Sequence, residues 1–408
     1  MVMFMDPMDA QLVCEVGARL ALPRAAPADS FILHSGLELC ARVGLLGHVP
    51  PDRRDGARGQ IALLAHEYDA WGPSVEAPAT VSFRDLDATA EALVSALAVG
   101  DLDAVDGAAR WLGRHATPLE LRRLLAGPLV NRLGAAAHAP IFLYLLPRVA
   151  PGGEITGELL RGLARDLGRE WLWRLHWVDS RTLDGPGEPG AMFEAIAATP
   201  VDPVEGATPF IFPTMARVDE DGSAAKLLEG VVTTGEVRAQ GREILRAAAW
   251  SMLLEPDDHS PYGWTHAFTL PQAVLGIAEM TDEPAVALAV AATYVVGFRT
   301  GLAQLPLVPA EPGDPSRDLD EALGVDRETA AGAAWHQPKA AFADVVAELA
   351  TRASEHRDAH YVKYTLACLD AAAADPEHER LFLAAAGGLA GWWAKFDRAV
   401  AVEVGTAQ

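Results

Sequence analysis

Helical spacing of apolar residues dominates this chain, whereas clean two-residue alternation is scarce. Leu37, Cys40, Ala41 and Gly44 show the helical spacing, and comparable patterns return along most of the length. Residues three and four apart lie on one face of an α-helix, so such patterns predict amphipathic helices packed around a shared core. The sequence therefore predicts an all-α fold with few or no strands.

Proline and glycine pairs separate most of the segments that carry this pattern. Thr117 followed by Glu120 resembles a capping box, and Ser82 followed by Asp85 is a related helix-start signal. The stretch 208–213, which prolines bracket, is instead predicted to be extended. The predicted helices are 33–46, 88–99, 101–113, 119–133, 158–175, 225–254, 270–279, 283–302, 342–353, 359–373 and 378–395.

Segment 184–222 is rich in Gly and Pro and is predicted to be irregular. We expect it to connect an N-terminal helical lobe, 1–183, with a C-terminal helical lobe, 223–408. The two lobes are expected to surround a central cavity and to act as one functional unit.

The charge balance narrows the set of partners. The chain has 33 Lys and Arg against 56 Asp and Glu, which gives a formal net charge of −23. Phosphate contacts need clustered basic residues, so we expect neither nucleic acid nor an anionic membrane surface as a partner. A homodimer is a candidate assembly for an acidic helical chain of this size.

Three further features favour a cytoplasmic location. No apolar run reaches the roughly 18–20 residues of a spanning helix, and 270–294 comes closest. Residues 1–19 lack the pattern of a secretory signal. The three cysteines have no C-x-x-C spacing and cannot form a disulfide framework, which fits a reducing compartment.

Familiar catalytic motifs are missing. No G-x-G-x-x-G follows a predicted strand, so a Rossmann site for NAD or FAD is unsupported. The chain has no G-x-x-x-x-G-K-[ST], no G-x-S-x-G and no H-E-x-x-H, and its Cys and His residues lack structural-zinc spacing.

Histidine supplies the strongest remaining chemical signal. Four of the 12 histidines, His34, His138, His266 and His360, lie among apolar or small residues at or near the start of a helical pattern. Neutral imidazole can act as a base, a hydrogen-bond partner or a metal ligand, because its pKa lies near working pH. One hypothesis is that several of these rings converge on one interior cavity. The alternative is that each is a separate core histidine bonded to a nearby carbonyl.

The segment 356–364 is the richest in candidate groups. His356 and His360 are four residues apart, so they would share a helix face and could bind a transition metal, although no third carboxylate ligand is obvious. The alternative is a solvated first turn, with His356 outside, His360 inside and Lys363 or Tyr364 facing the cavity. A buried Lys363 would have a lowered pKa and could bind an anionic phenolate.

Aromatic residues near the histidines have two interpretations. Trp264 ends a turn that leads to His266, where it could form the flat wall of a pocket for an aromatic substrate or pack in the core. Trp171, Trp173 and Trp177 are expected to pack as a helix stripe rather than to bind a cofactor.

Several of these segments resemble the questin oxidase-like family. The likeness touches most of the length and is most specific near the C-terminus. The segments that carry it are A-H-Y-V-K-Y-T-L-A-C-L at 359–369, L-F-L-A-A-A at 381–386, W-T-H-A-F-T at 264–269, A-H-A-P at 137–140 and L-H-S-G at 33–36.

The resemblance implies an α-helical oxidoreductase that acts on an aromatic polyketide or a related phenolic or quinone metabolite of secondary metabolism. The family's namesake opens an anthraquinone ring in a Baeyer–Villiger-like monooxygenase step, with O2 and a nicotinamide reductant. The resemblance therefore implies O2 and NADPH as co-substrates and no tightly bound flavin.

On this hypothesis no metal ligand is assigned, and either His266 or His360 acts as the general base. Lys363 or a second histidine would supply a cation for the oxyanion or peroxide. The expected catalytic groups are His34, His138, His266, His360 and Lys363. The expected substrate-binding residues, which would line a dry pocket, are Trp264, Thr265, Tyr361 and Tyr364.

Two other hypotheses stay open at this point. The first is a metal-dependent oxygenase or hydrolase with His34, His138, His266 and His360 as its ligands, because a bound metal is not excluded. The second is a non-catalytic helical protein that binds an apolar ligand or a partner.

Overall fold

The computed structural model describes residues 6–25, 30–76, 81–149, 154–180, 183–201, 208–255, 261–313 and 318–406. Within these ranges the chain forms α-helices and short 3-10 turns and no strand, as the helical spacing predicts. In chain order the helices are α1 (Pro7–Leu20), α2 (Ser30–Leu46), α3 (Arg54–Asp69), α4 (Leu86–Val99), α5 (Leu102–His115), α6 (Pro118–Leu129), α7 (Ala139–Leu145), α8 (Glu154–Arg169), α9 (Ala191–Ala197), α10 (Ile211–Glu220), α11 (Ser223–Leu228), α12 (Val237–Leu254), α13 (Tyr262–Ile277), α14 (Pro284–Leu302), α15 (Leu319–Leu323), α16 (Arg327–Trp335), α17 (Phe342–Glu355), α18 (Ala359–Ala374) and α19 (Glu379–Thr406).

Side-chain caps fix several helix starts. Thr117 accepts a hydrogen bond from the Glu120 amide while the Glu120 carboxylate accepts from the Thr117 amide, so the predicted capping box is confirmed. The start predicted at Ser82 is displaced, because Asp85 itself caps α4 by accepting from the Ala88 amide at 2.8 Å.

Some predicted boundaries were wrong. Segment 225–254 is divided between α11 and α12, and 158–175 stops being helical after Arg169, so the Trp171 and Trp173 stripe lies outside a helix. The stretch 208–213 is not extended, because α10 begins at Ile211. Segment 184–222 is less irregular than expected, since it contains α9 and α10.

Helix α14 is the apolar centre of the second half of the chain. It has 19 residues with a mean hydropathy of 1.6 over its most apolar window, so it is long and apolar enough to cross a membrane. That corrects the expectation that no segment reaches this length. However, 94% of the window is buried inside the protein, and a buried core helix passes the same test of length and composition.

Helices from distant parts of the sequence interleave around α13. This helix packs against α7 from the first half of the chain and against α14 and α18 from the second. Helix α2 packs against both α7 and α18. The packing of α2, α7, α13 and α18 therefore brings the segments around residues 34, 138, 266 and 360 together.

Buried Arg42, paired with Glu38 on the same helix, ties α2 to the end of α17 and to the segment before α18. Arg42 donates to Glu38 Oε1 at 2.5 Å and to the carbonyl oxygens of Ser354 and His356, each at 2.7 Å. A buried guanidinium is tolerated when hydrogen bonds replace its water shell. These contacts hold in place the segment that leads into α18.

Close packing of α16 on α19 generates a first prediction. A Cβ atom at Gly391 would collide with the carbonyl of Asp326 and approach the Cβ of Ala330 to 2.7 Å. We therefore expect Gly391→Ala to lower the free energy of unfolding by about 1–3 kcal/mol, measured by urea denaturation.

The matched control is Gly59→Ala in α3, where an added Cβ meets nothing within 4 Å. Replacing glycine by alanine at an open helix position is expected to stabilise by about 0.5–1 kcal/mol. A Gly391→Ala variant that is as stable as Gly59→Ala, or more stable, would contradict this account of the α16–α19 contact.

Candidate functional site

Four histidine rings from four segments form one cluster in the interior. The ring centroids of His34 and His138 are 4.6 Å apart, those of His34 and His360 are 4.6 Å apart, and those of His266 and His360 are 4.9 Å apart. The His138 and His266 centroids are 5.8 Å apart. Each of the four histidines is at most 8% exposed. The convergence that the sequence suggested is therefore present, and we call these residues the His cluster.

A strained turn presents His138 to the cluster. Ala135, Ala136 and Ala137 have φ values of 51°, 50° and 55°, in the left-handed region that costs a non-glycine residue about 1–2 kcal/mol. The turn leads directly into α7, and His138 Nδ1 lies 3.1 Å from the Ala135 carbonyl oxygen. Because only a protonated Nδ1 can donate to a carbonyl, the lone pair of neutral His138 resides on Nε2.

Lys363 adjoins the cluster from α18. Its Nζ atom lies 3.2 Å from His138 Nε2, so the lysine donates to the imidazole lone pair. Burial lowers the pKa of Lys363 to about 7, and the nearby carboxylates of Asp358 and Glu38 oppose this shift. A lysine with such a pKa is present in both protonation states at neutral pH.

Burial holds His138, His266 and His360 in the neutral form. Burial is the largest cause that lowers the pKa of His138, His266 and His360 well below the ordinary value, and the Lys363 charge adds to it. Neutral imidazole is the form that binds metal ions or accepts a proton.

Several ring nitrogens in the cluster lack ordinary partners. Neither ring nitrogen of His266 has a hydrogen bond of ordinary length and angle among the described residues, although the Tyr262 backbone lies close enough to raise the pKa of this histidine. Nδ1 of His360 also lacks such a bond. Buried polar atoms are usually paired, so such atoms need a reason. The nearest charge to His360 Nδ1 is Asp358 Oδ1, at 3.4 Å.

Three of the four histidines are close enough together to be candidate metal ligands. One ring nitrogen each from His34, His266 and His360 can be chosen so that all three lie within 4.8 Å of one another. Imidazole nitrogens bind zinc, copper, iron or nickel, and bonds of about 2.0–2.1 Å to one ion would draw the three atoms closer together. His138, with Nε2 directed at Lys363, lies beside this set.

The predicted substrate-binding residues lie in the packed core, and the ring contacts of the two tyrosines are with residues outside the cluster. Trp264 and Thr265 are almost fully buried on α13. Tyr361 packs against His356 at 5.1 Å, and Tyr364 packs against Phe268 at 5.5 Å. Their role in substrate binding stays a prediction.

Open space next to Lys363 is small. A void of about 10 Å³, lined by Lys363, Thr269, Gln272 and Asp370 among others, adjoins the lysine. That volume holds about one water molecule and is too small for an aromatic ring.

The expectation that His356 and His360 share one helix face was wrong. Helix α17 ends at Glu355 and α18 begins at Ala359, so the two histidines belong to different elements. His356 packs its ring on Trp393 at 4.6 Å and is half-buried rather than outside.

Sequence reasoning missed two residues that contact the cluster. Asp358 caps α18 through hydrogen bonds from the amides of His360 and Tyr361. Tyr262 places its ring 4.7 Å from that of His360. An Asp immediately before a helical pattern is a cap signal that would have identified Asp358, whereas Tyr262 precedes the segment predicted to be helical.

Comparison of this chain with protein-family models, with curated proteins and with solved structures gives no match. The resemblance to the questin oxidase-like family therefore rests on the residues quoted above and stays a prediction.

The pKa of Lys363 generates a second prediction. The folded protein holds this lysine at a pKa of about 7, against an ordinary value of 10.5, so between these pH values the unfolded chain binds more protons. The unfavourable effect of the buried lysine is then complete below about pH 7 and fades as the pH rises toward 10.5. We expect Lys363→Met to be about 1–3 kcal/mol more stable than the wild type at pH 6, with a smaller difference at pH 9.

Urea denaturation in EDTA at both pH values measures this difference. The control is Lys226→Met, which replaces an exposed lysine and should give the same small difference at both pH values. A stability gain for Lys363→Met that stays constant or grows with pH would contradict the lowered pKa.

Proposed function

We propose that this chain is an oxidoreductase that binds a transition-metal ion through His34, His266 and His360. We propose further that it uses O2 to oxidise an electron-rich aromatic molecule of the phenol or quinone class. The observation that carries the proposal is the convergence of three imidazole nitrogens, each from a different helix, within 4.8 Å. The reaction class is supported by the resemblance of the same segments to the questin oxidase-like family.

The unpartnered nitrogens favour a ligand set over ordinary core packing. A core histidine normally bonds a carbonyl or hydroxyl, as His138 does with Ala135. His266 instead has two buried nitrogens without a hydrogen bond of ordinary length and angle among the described residues. Burying such atoms unpaired costs about 1–3 kcal/mol each, and a bound cation would offset that penalty.

The donor chemistry fits such an ion. Three neutral imidazoles satisfy a borderline metal without cancelling its charge and leave coordination positions open. When bound, the ion would supply Lewis-acid and redox chemistry for O2 and the substrate. The lowered pKa values of His266 and His360 keep their lone pairs available near neutral pH.

Lys363 and His138 supply the proton chemistry in this proposal. Because the ligand role occupies His266 and His360, the neutral Lys363 amine is the group that removes a phenolic proton. The resulting ammonium then faces the phenolate, and its charge acts strongly in a site without water. His138 Nε2, at 3.2 Å, accepts a hydrogen bond from Nζ and orients it.

A metal-free reaction is the second candidate. The Lys363–His138 pair alone offers a base and a cation at neutral pH, which an electron-rich phenolate would need to react directly with O2. For both the metal-dependent and the metal-free reaction, we propose that NADPH is the reductant where a monooxygenase outcome requires one. We also propose that the protein binds no flavin. A metal-dependent hydrolase or a non-catalytic binding protein would differ in consuming no O2.

Metal analysis provides the third prediction. We expect the purified full-length protein to carry or take up about one zinc, copper, iron or nickel ion per chain, measured by elemental analysis after dialysis. Replacing His266 with Gln removes a ligand, so we expect affinity to fall by more than the roughly 10–100-fold typical of residues outside the ligand set. His66→Gln, at an exposed position of α3, is the control and should leave metal content unchanged.

The metal content of the wild type and of the two variants decides whether the three histidines bind a metal ion. Metal lost in His266→Gln and retained in His66→Gln supports the ligand set. Absence of any bound metal in the wild type, even after incubation with each ion, would overturn it and leave the metal-free candidate.

Oxygen consumption provides the fourth prediction. With a panel of phenols, hydroquinones and anthraquinones, supplied with and without NADPH, we expect O2 uptake in an oxygen electrode by the wild type. Lys363→Met removes the proposed base, so its turnover should fall by about 10²–10⁴-fold while metal content persists. Hydrolysis of an ester panel without O2 uptake would instead identify a hydrolase.

A further inference from the structure

Tyr262 separates the His cluster from solvent. It is the first residue of α13 and is 45% exposed, while its ring packs edge-on against His360 at a centroid distance of 4.7 Å. His266, four residues later on the same helix, lies on the same side of α13. Tyr262 therefore touches solvent on one side and a cluster member on the other.

The two residues that directly precede His266 on α13, and Phe298 of α14, whose ring lies 6.4 Å from that of His266, are closed to solvent. Trp264, Thr265 and Phe298 are 0%, 1% and 0% exposed. A molecule that approached through them would have to displace packed core side chains, whereas Tyr262 lies at the surface. Of the two described residues outside the cluster with ring contacts to it, Tyr262 is exposed and Phe298 is fully buried.

Asp358 holds Tyr262 in this position. One carboxylate oxygen, Oδ1, accepts from the His360 amide at 2.8 Å and from the Tyr361 amide at 3.2 Å, which fixes the start of α18. The other, Oδ2, accepts from the Tyr262 hydroxyl at 3.4 Å. This second bond is longer than the usual 2.5–3.0 Å of an O–H donor, so it is weak and easily broken.

A surface groove leads to the same carboxylate. The groove encloses about 570 Å³, and Asp358, His356 and Trp393 are among its lining residues. Its aromatic wall consists of the Trp393 and His356 rings, which pack on each other at 4.6 Å. An aromatic molecule that stacked on this wall would lie beside Asp358, the residue whose carboxylate accepts the bond from the Tyr262 hydroxyl.

We propose that Tyr262 is the gate between this groove and the His cluster, and that Asp358 is the latch that keeps it closed. Rotation of the Tyr262 side chain about its Cα–Cβ bond breaks one weak hydrogen bond and uncovers His360 without moving α13. The identity of the molecules that pass the gate, O2 and the ring of an aromatic substrate, rests on the proposed function, whereas the gate itself does not. Tyr262 would therefore set the size of ring that reaches the cluster.

Chemical labelling tests the gate without relying on catalysis. The full-length protein in EDTA is treated with diethyl pyrocarbonate, which acylates neutral imidazole, and the labelling rate of each histidine is read by peptide mass spectrometry. We expect Tyr262→Ala to label His360 about tenfold faster than the wild type, because the covering ring is gone. Tyr262→Phe keeps the ring but loses the bond to Asp358, and should label His360 about two- to threefold faster.

Three controls separate gating from loosening of the fold. Exposed His66 should label at one rate in all variants, and deeply buried His138 should stay slow. Trp71→Ala removes an aromatic ring that is 48% exposed at the end of α3, and should leave His360 unchanged.

Unchanged labelling of His360 in Tyr262→Ala would overturn the gate. If labelling of both His138 and His360 rises in Tyr262→Ala, the alanine variant has loosened the core, and the Tyr262→Phe variant decides. Faster labelling of His360 in Tyr262→Phe supports the latch. An unchanged rate in Tyr262→Phe overturns the latch. Because EDTA removes metal and no turnover is measured, failure of the gate and failure of the metal-dependent function give different results.

Discussion

Removing four imidazoles and one lysine amine from water within a single core is the constraint on which the rest of this structure depends. Each ring keeps polar nitrogens that need partners, and the lysine charge is disfavoured strongly enough to lower the pKa of Lys363 to about 7. The surrounding helices supply limited compensation, through Asp358, Glu38 and the Ala135 carbonyl. Apolar residues of similar volume would fill the same space without this desolvation cost.

The packing of helices from distant parts of the chain brings these groups together. His34 and His360 reach one another because α2 packs on α18, and Arg42 on α2 also holds the carbonyls that precede α18. His138 is directed inward by three consecutive left-handed alanines, an arrangement that stabilises neither α6 nor α7 by itself. Local strain of this kind is common where a side chain must be aimed, and here it aims an imidazole at Lys363.

The all-α fold and the burial of the four histidines were predictable from the sequence, because both depend on local patterns of apolar residues. Helical spacing identified most of the long helices and the all-α fold, and the apolar surroundings of the four histidines indicated burial. The short helices were missed for physical reasons: α7 is apolar on nearly every side and shows no periodicity, and α9 and α10 lie among prolines and glycines that ordinarily break helices. Tertiary packing overrode those local preferences. The pairing of His356 with His360 failed because the spacing of four has meaning only inside one helix, and Asp358 starts a new one.

What the sequence could not provide is the relation between residues on different helices. The hydroxyl of Tyr262 reaches Asp358 across 96 positions of the chain, and Lys363 reaches His138 across 225. Both contacts end on α18, where Asp358, His360 and Lys363 follow one another within two turns. The cap and first two turns of this helix thus join the surface residue that covers the cluster, a ring of the candidate ligand set and the base that would act beside it. A change in how α18 begins would alter access, ligand orientation and proton transfer together, which makes the Asp358 cap the point where the fold and the proposed chemistry are most tightly coupled.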